Sequence, residues 1–297
     1  MPGASLRIQS VLFHSDPAGV RRLVESLANA TRIARGAALV DTAHLALGDS
    51  GDGPSLRPDQ VEELRALVGD AFSFEYAFFG ANLGHGGGQN RLAEGLTEDL
   101  LLVINPDAVA EPLLVARLAE RMLDPSIGIA EARQLPVEHP KEYDPVAGAT
   151  PWASMACALL RGAAVRQVGL FDAATFFMHG DDVDLSWRMR LAGWAVAHQP
   201  QARVFHDKAI GTHGYIEAGP VELVHGPLGS LLLAYKYSRD DQVEALAEQL
   251  RQGSPEQQEA LRLYEERVAA GALPSPRLDP EGRVAAFSQG NFAHHRF

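Results

Sequence analysis

Two adjacent carboxylates, Asp181 and Asp182, follow an aromatic run in Phe176-Phe-Met-His-Gly-Asp-Asp-Val-Asp-Leu-Ser-Trp-Arg188 and stand directly before a pattern of helical period. Like charges repel, so two acids at one turn need a reason. Chemistry supplies one: a carboxylate can take a proton while its neighbour orients a partner. The competing reading is a doubly acidic helix start, where the dipole favours negative charge. Another acid, Asp107, ends Leu-Leu-Val-Ile-Asn105-Pro-Asp107. The five consecutive apolar residues at 100–104 have the signature of a strand buried on both faces, which delivers Asp107 to its carboxyl end. An acid there suits Mg²⁺ or Mn²⁺, which take one or two carboxylates together with phosphate oxygens. It suits the start of the next helix equally well. His206 closes Val204-Phe-His-Asp207. A lone histidine is more often structural, and its place after a strand and the acid pair is what favours a metal-ligand reading.

The stretch Asn82-Leu-Gly-His-Gly-Gly-Gly-Gln-Asn90 reads as a glycine-rich turn before a helix. Such a turn lets the backbone around Asn82, Gly86 and Gly87 approach a ligand closely; a tight turn with left-handed residues explains it as well. It lacks the third spaced glycine of a dinucleotide fingerprint, and no Gly-Lys-Ser/Thr pair forms a P-loop. His85, His179 and His213 read as solvated loop histidines. Trp152, Trp187 and Trp194 read as core or pocket wall, with Trp152 in a loop region from which it could face a ligand. Cys157, the single cysteine, reads as a buried small hydrophobe, and Arg188 and Arg190 as the coat of a helix.

The elements that must position these residues alternate. Residues 6–13 predict a strand, and Val20, Leu23, Val24 and Leu27 a helix. A weak strand at 43–47 runs into a glycine-proline loop carrying Asp49 and Ser50. Pro58 opens a helix with Val61, Leu64 and Val68. An aromatic strand follows at 74–79, then the glycine turn, the strand at 100–104, and a helix with Leu114, Leu118 and Met122. This order favours a mostly parallel sheet with helices on both faces and a ligand at the carboxyl ends of its strands. Residues 124–150 predict a long loop over the site. Residues 195–206 predict two short strands around Gln199-Pro200. Beyond 238, polar helices are expected at 240–250 and 256–270, then an irregular arm at 271–297 with an aromatic, histidine-bearing end. The expected division is 1–237 as one domain and 238–297 as a helical extension.

The 297 residues carry a net charge of −12, which argues against a nucleic-acid partner and against broad attraction to anionic lipid. One cysteine permits no internal disulfide, and the start has no long apolar run. A soluble, cytoplasmic protein is expected.

In order, Asn82-Leu-Gly-x-Gly-Gly-Gly-x-Asn90-Arg91, the Asn105-Pro-Asp107 segment, Gly169-Leu-Phe-Asp172, the Asp181-Asp182 segment and Phe205-His206 resemble the motifs of family 2 glycosyltransferases of the GT-A fold. The similarity spans roughly residues 6–210, and the subgroup it resembles is the bacterial rhamnosyltransferase-like enzymes of cell-surface polysaccharide synthesis. The resemblance implies a Rossmann-like α/β sheet. It implies an inverting transferase that moves a sugar from a nucleotide-diphosphate sugar, dTDP-rhamnose or a UDP-sugar, to a hydroxyl on a saccharide or lipid-linked acceptor. Carried over by position, Asp182 is the catalytic base and Asp181 replaces the glutamate common before it. Asp49, with Ser50, contacts the nucleotide. Asp107 is the last acid of the metal triplet, Asn105 stands for its first, and His206 completes the site for Mg²⁺ or Mn²⁺. Met155 stands where the family usually has glycine, and the opening strand ends Phe-His-Ser15 rather than in the usual Thr-Tyr-Asn type. A catalytically silent nucleotide-sugar-binding scaffold and a nucleotidyltransferase-like enzyme are the rival readings; the latter would want a basic loop after the first strand. The C-terminal helices are left with three roles: pairing two copies, holding the acceptor, or docking peripherally at the inner face of a membrane.

Overall fold

The computed structural model describes residues 3–138, 141–208, 219–287 and 292. His213 and most of the aromatic, histidine-bearing end lie outside them. The first half alternates as expected: β1 (Ala4–Leu12), α1 (Pro17–Gly36), β2 (Val40–Asp49), α2 (Pro58–Val68), β3 (Ser73–Phe78), α3 (Gly84–Leu92), β4 (Leu100–Ile104), β5 (Ala108–Ala110) and α4 (Leu114–Arg121). The second half supplies β6 (Ile127–Leu135), β7 (Cys157–Arg161), α5 (Gly162–Val168), α6 (Asp181–Leu191), β8 (Ala195–His206), α7 (Pro220–Lys236), α8 (Asp240–Arg251) and α9 (Pro255–Ala269). One eight-stranded sheet runs β3-β2-β1-β4-β7-β6-β8-β5. The pairs β2–β3, β1–β2, β1–β4 and β6–β8 are parallel, whereas β7 is antiparallel to both its neighbours. Because β7 reverses direction twice over, β6 and β8 point the same way as β1 and β4. All their carboxyl ends therefore share one edge.

β4 shows why an unbroken apolar run was needed. Leu100, Leu102 and Ile104 pack with α1, α2 and α4 on one face, while Leu101 and Val103 pack with α5 and α6 on the other. The helix α6 has no spare face either. Leu185 and Met189 meet the sheet layer, and Val183 and Trp187 enter a second cluster with Leu231, Leu233, Leu246 and Leu261 of α7, α8 and α9 and with Tyr237 just past α7. Among the described residues no helix is long and apolar enough to cross a membrane.

Three expectations are corrected. Residues 127–135, read as part of a loop, form the inner strand β6. Its polar Glu131 and Gln134 hid the pattern, and Glu131 is fully buried because Lys141 Nζ lies 2.5 Å from both its oxygens and Ser154 N donates to it at 2.9 Å. Residues 195–206 are one strand, not two: Ala132 pairs with Gln199 and Arg133 with Arg203, so Pro200 loops out of the ladder it cannot join. The glycine run does not precede its helix but forms it, as α3.

Candidate active site

The shared carboxyl edge borders a cavity of about 1040 Å³. Its wall is assembled from strand ends: Phe13 and Ser15 after β1, Ser50 after β2, Asn105 to Asp107 after β4, Leu135 and Pro136 at β6, and Phe205 to Asp207 at β8. Residues before and at the start of α3 and before α6 complete it, among them Asn82, His85, Phe177 and Met178. Asp107 and His206, 99 positions apart, meet here. His206 Nε2 lies 3.1 Å from Asp107 Oδ1 and 3.3 Å from Asn105 Nδ2. The β6–β8 register sets Gln134 beside Val204 on the face that His206 shares, and Gln134 Oε1 reaches His206 Nδ1 at 2.9 Å.

Asp181 and Asp182 open α6 beneath Gly180, and both are nearly buried. Asp181 Oδ2 meets His85 Nδ1 at 2.8 Å. Burial works against the charge on each partner, but the pairing outweighs it. The Asp181 carboxyl is held below its ordinary range and the His85 imidazole is raised above its own. His85 is thus no solvated loop histidine; its place is secured because Gly84 turns the chain at φ +68, where a Cβ would come within 2.5 Å of Phe177 O. Asp182 Oδ1 accepts from Val183 N at 2.9 Å, and Asp182 is set back from the cavity wall. Arg188 and Arg190 do not coat α6. Arg188 bonds Asp184 and the carbonyls of Val168 and Leu170, and Arg190 bonds Val284 O.

The other expected residues separate into two groups. Ser50, Asn82 and Asn105 line the cavity. Asp49 stands behind it, fully buried, with its acceptor positions filled by Gly51 N, Ser55 N, Ser55 Oγ and the Tyr76 hydroxyl. Burial and then the Asp49 carboxylate push the Tyr76 phenol's pKa up, which keeps it a donor. Gly86 and Gly87 face the packing side of α3, where a Cβ on Gly86 would meet Phe171 Cβ at 2.9 Å and one on Gly87 would meet Leu83 Cβ at 3.2 Å. Trp152 is buried, with Lys141 Nζ 4.1 Å from its ring centre. Sequence reasoning missed Arg22, His85 and Gln134. Among the described residues Arg22 is the one lysine or arginine on the cavity wall, and it makes no hydrogen bond or ion pair with any of them.

A divalent cation fits Asp107 and His206. With its Nδ1 turned to a carbonyl oxygen, the imidazole aims Nε2 at a carboxylate, the arrangement a metal-bound histidine adopts. Among the described residues no three His, Cys, Asp or Glu side chains gather for a metal. Two protein ligands plus phosphate oxygens is the pattern that Mg²⁺ and Mn²⁺ accept.

No family model matches the chain. A stretch of 61 residues is 46% identical to N-acetylglucosaminyl-diphospho-decaprenol L-rhamnosyltransferase of Mycobacterium tuberculosis, in both strain CDC 1551 and strain H37Rv. That stretch is 20% of each protein, so the match spans about a fifth of the length of these curated relatives. Two solved structures are similar over most of the chain. GalNAc-T7 with UDP, GalNAc and Mn²⁺ has a TM-score of 0.62 at 13% identity, covering 90% of this chain and 55% of that one. The mannosyltransferase PcManGT from Pyrobaculum calidifontis, in complex with GDP-Man and Mn²⁺, has a TM-score of 0.56 at 14% identity, covering 96% and 76%. At such identities the likeness concerns architecture, and the architecture of this α/β chain is that of the GT-A glycosyltransferases.

Proposed function

We propose that this chain transfers a sugar from a nucleotide-diphosphate sugar to a hydroxyl of a saccharide or lipid-linked acceptor, with inversion at the anomeric carbon. The observation that carries the proposal is the meeting of Asp107 and His206 at 3.1 Å on a cavity wall that also presents Arg22. Asp107 and His206 would hold Mg²⁺ or Mn²⁺. The bound ion supplies charge neutralisation at the departing diphosphate, worth several kcal/mol. Arg22, paired with no acid among the described residues, adds a guanidinium for phosphate oxygens. Ser50 and Asn82 offer polar groups to the nucleotide, and Asp49 holds the turn that presents Ser50. Asp182, which stands behind the wall rather than on it, is given by the family resemblance the role of taking the proton of the acceptor hydroxyl. Asp181 acts beside it by anchoring the start of α6 to His85. The 61-residue match to a rhamnosyltransferase supports dTDP-rhamnose as the donor to test first, with UDP-sugars next. The reading places the chain in the cytoplasm, peripheral to the inner face of the membrane where the acceptor is lipid-linked.

The test is thermal stabilisation by dTDP-, UDP- and GDP-sugars, each with and without Mn²⁺. A donor at a hundred times its Kd adds ~2.7 kcal/mol to folded-state stability. Stabilisation by one nucleotide class, strengthened by the metal, is expected. No response to any nucleotide sugar overturns the proposal, and metal-dependent binding with neither transfer nor donor hydrolysis would favour the silent scaffold.

A further inference from the structure

We infer that Gln134 fixes the tautomer of His206 and is thereby a positioning residue for the cation site. The inference rests on the metal reading given above, which assigns nothing to Gln134. Both side chains are buried, on the neighbouring parallel strands β6 and β8. A neutral imidazole carries one N–H, so two arrangements compete. With the proton on Nδ1, that nitrogen donates to Gln134 Oε1 at 2.9 Å, and the Nε2 lone pair accepts from Asn105 Nδ2 at 3.3 Å. With the proton on Nε2, that N–H could donate to Asp107 Oδ1 at 3.1 Å, but the Nδ1 lone pair would face the Gln134 carbonyl oxygen and the Nε2–H would also face the Asn105 amide N–H. Two amides on different strand ends therefore favour the first tautomer against the pull of Asp107, and a cation held by Asp107 removes that pull.

That tautomer has a consequence at Asp107. The Nε2 lone pair points at a carboxylate oxygen 3.1 Å away, an electrostatic conflict that either a proton on Nε2 or a cation between them removes. Gln134 does not hold this orientation for its own satisfaction: its buried Nε2 finds no partner among the described residues. The pattern is that of a polar group kept in place by what it orders in its neighbour.

The experiment uses the full chain as wild type, Gln134→Leu and Gln134→Glu. Mn²⁺ affinity is read from the EPR signal of free Mn²⁺, and the metal-free His206 tautomer from long-range ¹H–¹⁵N correlation, assigned by its loss in His206→Gln. The Nδ1–H tautomer is expected in the metal-free wild type. Gln134→Leu weakens Mn²⁺ binding by ~10–100-fold. Gln134→Glu, which still accepts from Nδ1–H, retains or tightens it, a rescue that a merely structural role does not produce. Wild-type Mn²⁺ affinity in Gln134→Leu, or a proton on Nε2 in the wild type, overturns the inference. If Gln134→Leu does not fold, the wild-type tautomer and the Gln134→Glu affinity decide alone. A wild type that binds no Mn²⁺ at any concentration removes the metal reading itself, whichever tautomer is found.

Discussion

Lys236 offers the sharpest test of how the acid-bearing helix is held. Its Nζ lies 2.7 Å from Asp172 Oδ2 and 2.5 Å from Asp184 Oδ1, on a side chain only 7% exposed. Lys236→Met keeps the length and removes the charge. Deleting one partner of a buried ion pair costs ~3–5 kcal/mol. Asp184 retains Arg188 Nε at 2.8 Å and the Tyr237 hydroxyl at 3.1 Å, and Asp172 is 27% exposed, so the lower end applies. For 297 residues the unfolding entropy is ~0.6 kcal/mol/K, so Tm should fall by ~5 °C. Calorimetry of Lys236→Met, Asp172→Asn and the double variant should show the double costing less than the sum. The pH arm is stricter. Burial pushes the Asp172 carboxyl up, but its hydrogen bond from Lys236 and that cation's charge pull it below the ordinary range. A depressed carboxyl contributes stability above its unfolded pKa of ~3.9 and loses it as pH falls through the lower folded value. The deficit of Lys236→Met should therefore shrink toward about pH 3. A deficit of equal size at pH 7 and pH 3 refutes the electrostatic reasoning and leaves only lost packing.

Asp182→Asn should lower turnover by ~10²–10⁴-fold while nucleotide affinity, read by calorimetry, is unchanged; substantial turnover removes Asp182 from the base role. His85 gains its raised pKa from Asp181, so its contribution is full below the ordinary histidine value of ~6.5 and fades as pH rises through the folded value. Asp181 contributes above the unfolded carboxyl value of ~3.9 and fails as pH falls through its lowered one. The Tm gap between wild type and His85→Gln should hence peak between about pH 4 and 6.5, and a gap constant from about pH 5 to 9 contradicts the pairing. Gly84→Ala places a Cβ at φ +68 within 2.5 Å of Phe177 O, so it should destabilise by ~1–3 kcal/mol from the backbone alone, and a neutral urea midpoint would show the turn rearranges freely.

Periodicity made β1 to β3, α1, α2, α4, α8 and α9 legible, because each buries a face in the rhythm of its backbone, and β4 was legible as an unbroken apolar run. β6 was not, since Glu131 and Gln134 interrupt the apolar pattern and are satisfied by Lys141, Ser154 and His206, which no local window contains. Helix α7 was hidden by Gly226, Pro227 and Gly229. Gly229 is there because a Cβ would come within 2.7 Å of His179 O, so close approach to the start of α6 outweighed helix propensity. The convergence of Asp107 and His206 was expected from the family resemblance; the strand order that delivers it, with β6 between β7 and β8, was not legible. The pairing of His85 with Asp181 could not, because its partner lies 96 residues away and the glycines around it spoke for a turn.

The solitary guanidinium of Arg22 has a kinetic corollary. A chain of net charge −12 repels a nucleoside diphosphate at distances where one arginine is not felt. The whole-molecule field slows encounter, and short-range contacts take over only within a Debye length of ~8–10 Å. Added salt should accordingly speed capture, the reverse of ordinary steering, and a donor whose phosphates are already complexed should arrive faster than the bare anion. Stopped-flow binding at about 20 and 200 mM salt reads this directly; slower capture at the higher concentration would mean that the mouth of the cavity, rather than the molecule around it, governs arrival.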